Sequence, residues 1–159
     1  MPKRVTSISF WKDRIRGAAK RHFMVYVTSE GDWQRINYEH EKILRTEIKP
    51  TDKVLDAGCG YGRWAHLFSM DNYVGVDLSP DFVEMAHLEN IGWKFIEGKL
   101  ESLPFQDGEF DVAFCVSIKE MIVNNCGQEL WDKMQTELKR VAKKLLILEY
   151  TSPDLYDML

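Results

Sequence analysis

The chain has 159 residues, 45% of them hydrophobic and 29% charged, with five Trp, six Tyr and eight Phe. That content excludes disorder and suits one domain whose core buries roughly 70% of the unfolded chain's surface. No apolar run approaches the ~20 residues of a membrane span, no apolar leader follows the N-terminus, and Cys59, Cys115 and Cys126 form neither a disulfide framework nor a metal site, which predicts a cytoplasmic protein without membrane insertion.

The net charge of −4 is unevenly spread. Residues 1–29 carry seven basic side chains against Asp13, a charge of +6, and leave −10 on the rest. Such a cationic arm is either a solvated helix face or an attractor for an anionic substrate or nucleic acid. Ile8, Trp11, Ile15 and Ala18/Ala19 have helical spacing. A second helical pattern opens at Gly31-Asp32 with Trp33, Ile36, His40 and Ile43/Leu44, and carries the i,i+4 pair Glu41–Arg45. Lys49-Pro50-Thr51-Asp52 ends it. Residues 1–48 are therefore expected to be a helical arm or lid, packed on a core of residues 49–159.

From there strands alternate with helices. Strands are predicted over Lys53–Ala57, Tyr73–Asp77, Lys94–Gly98, Phe110–Val116 and Leu145–Tyr150, and helices over Arg63–Ser69, Pro80–Leu88 and roughly Gln128–Lys143. Short apolar strands separated by amphipathic helices call for an α/β doubly wound fold, a mainly parallel sheet of about five strands with helices on both faces.

The first strand runs into Gly58-Cys59-Gly60-Tyr61-Gly62 and then a helical stretch. Glycine permits positive φ and lets a ligand approach the backbone. Nineteen residues after Gly58, at the end of the second strand, stands Asp77. An acid at about that distance in a doubly wound sheet accepts hydrogen bonds from ribose hydroxyls; alone, followed by Ser79-Pro80, it also fits a helix cap. The third glycine comes one residue early for the dinucleotide pattern, and Asp56 places a further negative charge just before the loop, where phosphates would be repelled. S-adenosylmethionine has an ammonium, a sulfonium and no phosphate, and tolerates that charge. Cys59 reads as a small packing residue, and Tyr61 as a cover for cofactor or loop.

The segment Val54-Leu55-Asp56-Ala57-Gly58-Cys59-Gly60-Tyr61-Gly62-Arg63 resembles the first motif of the class I S-adenosylmethionine-dependent methyltransferases, most closely the ubiquinone-biosynthesis-like small-molecule group. Tyr73-Val74-Gly75-Val76-Asp77-Leu78-Ser79 is similar to the second motif, and Leu103–Val112 to the segment entering the fourth strand. The resemblance covers about residues 50–150. It implies a Rossmann-like fold, a bound S-adenosylmethionine with S-adenosylhomocysteine as product, Asp77 on the ribose diol with Leu78 beside it, and Cys115 and Val116 near the sulfonium. Where many members carry Asp-Ala against the adenine, this chain has Gly98-Lys99-Leu100-Glu101. Leu100 can lie on the adenine face, but Lys99 cannot replace an acceptor, so backbone groups of this segment are expected to serve.

Methyl transfer from a sulfonium needs alignment and exclusion of water, and needs a base only if the acceptor arrives protonated. Ser117, Lys119 and Glu120 follow the fourth strand; Glu120 is the candidate acid or base, with a solvated helix-start residue as the alternative. Tyr26 and Trp33, with Trp11 and Phe23, are lid candidates that could face the sulfonium or simply be apolar helix faces. The family continues past the fifth strand with an antiparallel strand pair, for which Thr151–Leu159 is too short. An apolar edge at Leu145–Leu148 is thus expected to be covered by a second copy, another partner or the N-terminal segment. The expected activity is methylation of a small-molecule acceptor. The alternatives are a noncatalytic S-adenosylmethionine-binding subunit, or elimination or aminopropyl transfer with the same cofactor. A nucleic-acid acceptor has only the basic arm in its favour.

Overall fold

The computed structural model describes residues 30–149, with side chains from residue 34 onward. The expected helix over Ile8–Ala19, together with Tyr26 and the side chain of Trp33, lies outside the described residues. In chain order the elements are α1 (Glu30–Glu47), β1 (Val54–Ala57), a 3-10 turn (Ala65–Leu67), β2 (Tyr73–Asp77), α2 (Pro80–Glu89), β3 (Lys94–Glu97), β4 (Phe110–Val116), α3 (Lys119–Cys126), α4 (Gln128–Val141) and β5 (Ala142–Leu148).

The strands form one sheet in the order β3-β2-β1-β4-β5, every neighbouring pair parallel. Alternate residues of each strand feed opposite faces. Leu55, Ala57, Val74, Val76, Ala113 and Cys115 pack against the apolar stripe of α4, Trp131, Met134, Leu138 and Val141, and against Ile122 of α3. Val54, Val112, Phe114 and Val116 face the other way, toward Leu44 and Ile48 of the α1 end and Trp64. Tyr73 and Phe95 on that same side meet Ala65 and Ala86. Because both faces are covered, β1 and β2 are buried along their whole length and β4 everywhere but Asp111, as a parallel sheet requires. The expected α/β fold is the observed one.

Two places differ from expectation by more than one residue. The helix expected over Arg63–Ser69 is only the 3-10 turn. Its bonds run from Leu67 N–H to Trp64 O (3.0 Å) and from Phe68 N–H to Ala65 O (3.0 Å), and Trp64 and Leu67 go to one cluster and Ala65 to another, with Phe68 touching both. The second difference is the end of α4. The helix stops at Val141 and β5 begins at Ala142, three residues before the expected strand start and with no connecting residue. Arg140 O, which a longer helix would use, instead accepts Gly108 N–H at 2.8 Å. Helix α3 was not among the predicted helical stretches, although the alternative reading of Glu120 as a helix-start residue matches its place in the first turn; Ile118 and Ile122 are the apolar signal. Among the described residues β5 pairs with β4 alone, and Leu145–Leu148 are half-buried.

Candidate functional site

Strand β1 ends at Ala57, and the loop that follows turns by left-handed glycines: Gly58 has φ 75°, Gly60 φ 55° and Gly62 φ 77°. Gly58 and Cys59 anchor it, both amides donating to Val76 O at 2.8 and 3.0 Å. A Cβ at Gly62 would lie 2.7 Å from the Phe95 ring and 2.8 Å from Asn90 Nδ2, and one at Gly58 would lie 2.7 Å from Ile118 Cδ1. At Gly60 nothing stands within 4 Å. Packing thus demands the glycine at 62, while at Gly58 a Cβ would displace the end of the Ile118 side chain. Gly60 instead presents bare backbone to open space, the feature a ligand lying on the loop requires.

Asp77 closes the other side. One carboxylate oxygen accepts Gly60 N–H at 2.9 Å, and the other accepts Ser79 N–H at 2.9 Å. The residue is 8% exposed, and burial raises its pKa against the opposing pull of the Ser79, Gly60 and Leu78 amides. The helix-cap alternative falls to Ser79, whose Oγ accepts Phe82 N–H at 3.4 Å with Pro80 starting α2. Asp77 is left to tie the glycine loop to the end of β2. A carboxylate has about four acceptor sites, so the three amides leave capacity to spare, and donors such as a ribose diol fit it.

Asp56 is placed differently from its neighbour in sequence. Its carboxyl is 2% exposed and accepts Tyr73 Oη–H at 2.7 Å, under the loop rather than on it. Burial pushes its pKa up to about 7, the Tyr73 hydroxyl and the nearby Arg63 pulling the other way. Cys59 is buried against Gly75, with its thiol pKa raised well above the ordinary value by burial, so it packs rather than reacts. Tyr61 is buried, and its carbonyl accepts Asn90 Nδ2–H at 3.0 Å, which pins the loop to α2.

After β3, Gly98 N–H donates to Asp77 O at 2.9 Å, so this segment joins the same cluster. Lys99 is exposed and Glu101 half-buried, while Leu100 turns into the core at 7% exposure. At the end of β4, the Cys115 thiol faces the α4 side, fully buried, and Val116 the α1 side. Ser117 follows with φ 58°, a left-handed conformation that costs a non-glycine residue about 1–2 kcal/mol. Its N–H donates to Leu148 O at 2.7 Å. Glu120 is half-buried in the first turn of α3.

Glu149 is the residue that the sequence pattern concealed, because the predicted fifth strand ran through it to Tyr150. Its Oε1 accepts Lys119 N–H at 2.9 Å and its Oε2 accepts Glu120 N–H at 3.4 Å. Burial raises its pKa, with the charge of Glu120 adding to the rise. Its carbonyl accepts from Nε2 of the buried His40 on α1 at 3.2 Å. As the donor in that bond Nε2 carries a proton, and burial lowers the histidine's pKa, with the Arg63 charge adding to the fall and the bond to Glu149 opposing it. An acid immediately after an apolar strand was the available signal. Among the described residues no group of three or more His, Cys, Asp or Glu is placed to hold a metal ion, and no helix is long and apolar enough to cross a membrane.

The glycine loop, Asp77 and the ends of β3 and β4 thus meet at the carboxyl edge of the sheet, where doubly wound folds hold their ligands. Residues 54–144 match the family described as a methyltransferase domain. An uncharacterised protein of Methanocaldococcus jannaschii is 36% identical over 112 residues, covering 67% of this chain and 50% of its own length. An uncharacterised methyltransferase of Bacillus subtilis is 37% identical over 82 residues, covering 46% of this chain and 32% of its own. The chain therefore spans half or less of the length of these relatives. A crystal structure from Thermotoga maritima, described as an S-adenosylmethionine-dependent methyltransferase and possible histamine N-methyltransferase, superposes with a TM-score of 0.59. It is 25% identical, with 87% of this chain and 60% of that one covered.

Proposed function

The chain belongs to the methyltransferase domain family, and from that premise we propose that it binds S-adenosylmethionine on the glycine loop and transfers its methyl group to a small-molecule acceptor. The observation that carries the reading is the bond from Gly60 N–H to Asp77 Oδ2, which sets a bare stretch of backbone beside a carboxylate with acceptor capacity to spare. S-adenosylmethionine, when bound, supplies a methyl group on a sulfonium whose departure leaves a neutral thioether.

The chain's own groups have correspondingly modest tasks. Asp77 accepts from the ribose hydroxyls, Leu78 flanks it, and backbone groups of Lys99–Glu101 meet the base. The end of β4 sets Cys115 and Val116 near the sulfonium, Ser117 faces the acceptor, and Glu120 takes or gives its proton. Holding acceptor and donor in line is worth up to roughly 7–11 kcal/mol, so positioning rather than a strong base drives the reaction. Residues 1–48 act as the lid, and the three free thiols suit the reducing cytoplasm. A second copy of the chain covers the free edge of β5, whose apolar residues pair on one side only among the described residues.

The test is calorimetry with S-adenosylmethionine and S-adenosylhomocysteine, followed by incubation of the full chain with methyl-labelled cofactor and a metabolite extract. Binding of both ligands and label on a low-mass acceptor are expected. Failure to bind either, with firm binding of NAD or ATP, overturns the reading.

A further inference from the structure

Helix α3 begins without a capping side chain of its own: Ile118 occupies the N-cap position and makes no side-chain bond there. Its first free amides are instead satisfied from another strand, by the Glu149 carboxylate just past β5. The same turn is held at Ser117, whose strained backbone is bonded to Leu148 O, so all three bonds come from the end of β5 and the residue just past it. The turn also touches the cofactor loop. The Ile118 side chain fills the space a Cβ on Gly58 would need, at 2.7 Å.

A continuous chain of packed groups therefore runs from Glu149, through the Lys119 and Glu120 amides and the Ile118 side chain, to Gly58. We propose that Glu149 is a positioning residue that couples the acceptor-side turn, Ser117–Glu120, to the glycine loop, so that occupation of the loop fixes the turn for the acceptor. The proposal rests on the cofactor reading above. The charged and titratable groups around the Glu149 carboxylate are Lys119 and Glu120 on α3 and Cys115 on β4, and His40 of α1 holds its carbonyl. Because the carboxylate reaches both amides from a strand that α3 does not follow directly, its loss frees the turn without removing any group from the cofactor loop.

The experiment is an amide NMR titration of the full chain with S-adenosylhomocysteine, comparing the wild type with Glu149→Ala and Glu149→Gln. In the wild type, amides of Gly58–Gly62 and of Ile118–Glu120 are expected to shift together. In Glu149→Ala the loop amides still shift, while those of Ile118–Glu120 lose most of their response. Glu149→Gln keeps one acceptor oxygen and restores the response at Lys119, a rescue that guards against a folding defect in the alanine variant. Loop shifts in the wild type without a response at Ile118–Glu120 overturn the coupling, and a full response in Glu149→Ala overturns the role of Glu149. No shift at the loop in the wild type overturns the cofactor reading and the proposal with it.

Discussion

The Asp77 carboxylate and the Gly60 amide meet at 2.9 Å across the gap between the ends of β2 and β1. The acid expected to receive a ribose is also the group that fixes the loop beneath it.

Replacing Asp77 by Ala removes charged hydrogen bonds worth ~1.5–3 kcal/mol each. The affinity for S-adenosylhomocysteine is expected to fall about 10–100-fold, read by calorimetry. The Gly60 and Ser79 amides lose their partner as well, so the melting temperature drops with it. Unchanged affinity in a folded Asp77→Ala protein removes the residue from the site.

Gly60 and Gly62 share a left-handed backbone but differ in surroundings, which separates folding from binding. Gly62→Ala adds a Cβ 2.7 Å from the Phe95 ring on top of the conformational cost of about 1–2 kcal/mol. It is expected to lower the unfolding midpoint clearly more than Gly60→Ala, which meets no atom within 4 Å. Gly60→Ala projects a methyl group into the ligand's approach and is expected to weaken S-adenosylhomocysteine binding at least tenfold. Denaturant titration and calorimetry on the two variants check both halves.

The buried Asp56 makes stability depend on pH near neutrality. Its folded pKa of about 7 lies above the unfolded value, so the native state holds the proton more tightly than the unfolded one. The stability this contributes is complete below the ordinary carboxylate range near pH ~4 and is lost as pH rises through about 7. A shift of that size corresponds to something on the order of 4 kcal/mol. Asp56→Asn, which still accepts from Tyr73 Oη, is expected to flatten the dependence and to be the more stable protein at pH 8. Urea unfolding from pH 5 to pH 8 decides it, and a wild-type midpoint that rises with pH across that range contradicts the assignment.

The β5 edge offers a test of assembly. Sedimentation of the full chain is expected to show a dimer, with slow exchange of the β5 amides that face away from β4. A strict monomer whose outward β5 amides exchange freely removes the second copy.

Strand positions were legible because alternating apolar runs and glycine punctuation are local features: β2 and β4 have their expected ends, and β1 and β3 differ by one residue at one terminus. The glycine loop and Asp77 were legible for the same reason, since spacing along the chain carries them. What spacing cannot show is direction. Asp56 and Asp77 are both strand acids beside one loop, yet Tyr73 draws the first beneath the sheet face while the second turns to the loop amides. Glu149 was hidden because its partners, Lys119 and Glu120, lie about thirty residues earlier. The 3-10 turn at Ala65 arises from two cores pulling on a short connection, a tertiary demand that overrides helical propensity.

The seamless passage from α4 into β5 bears on how that last strand finds its alignment. Leu145-Leu146-Ile147-Leu148 is greasy on both sides, so sliding this run by one position would still bury hydrocarbon above and below, and the run itself offers no polar guard against the slip. The guard is mechanical: with Val141 locked in the helix and Ala142 already extended, there is no slack to shift into. Adding a single residue at this junction would move Glu149 out of reach of Lys119 while leaving the hydrophobic bookkeeping almost untouched.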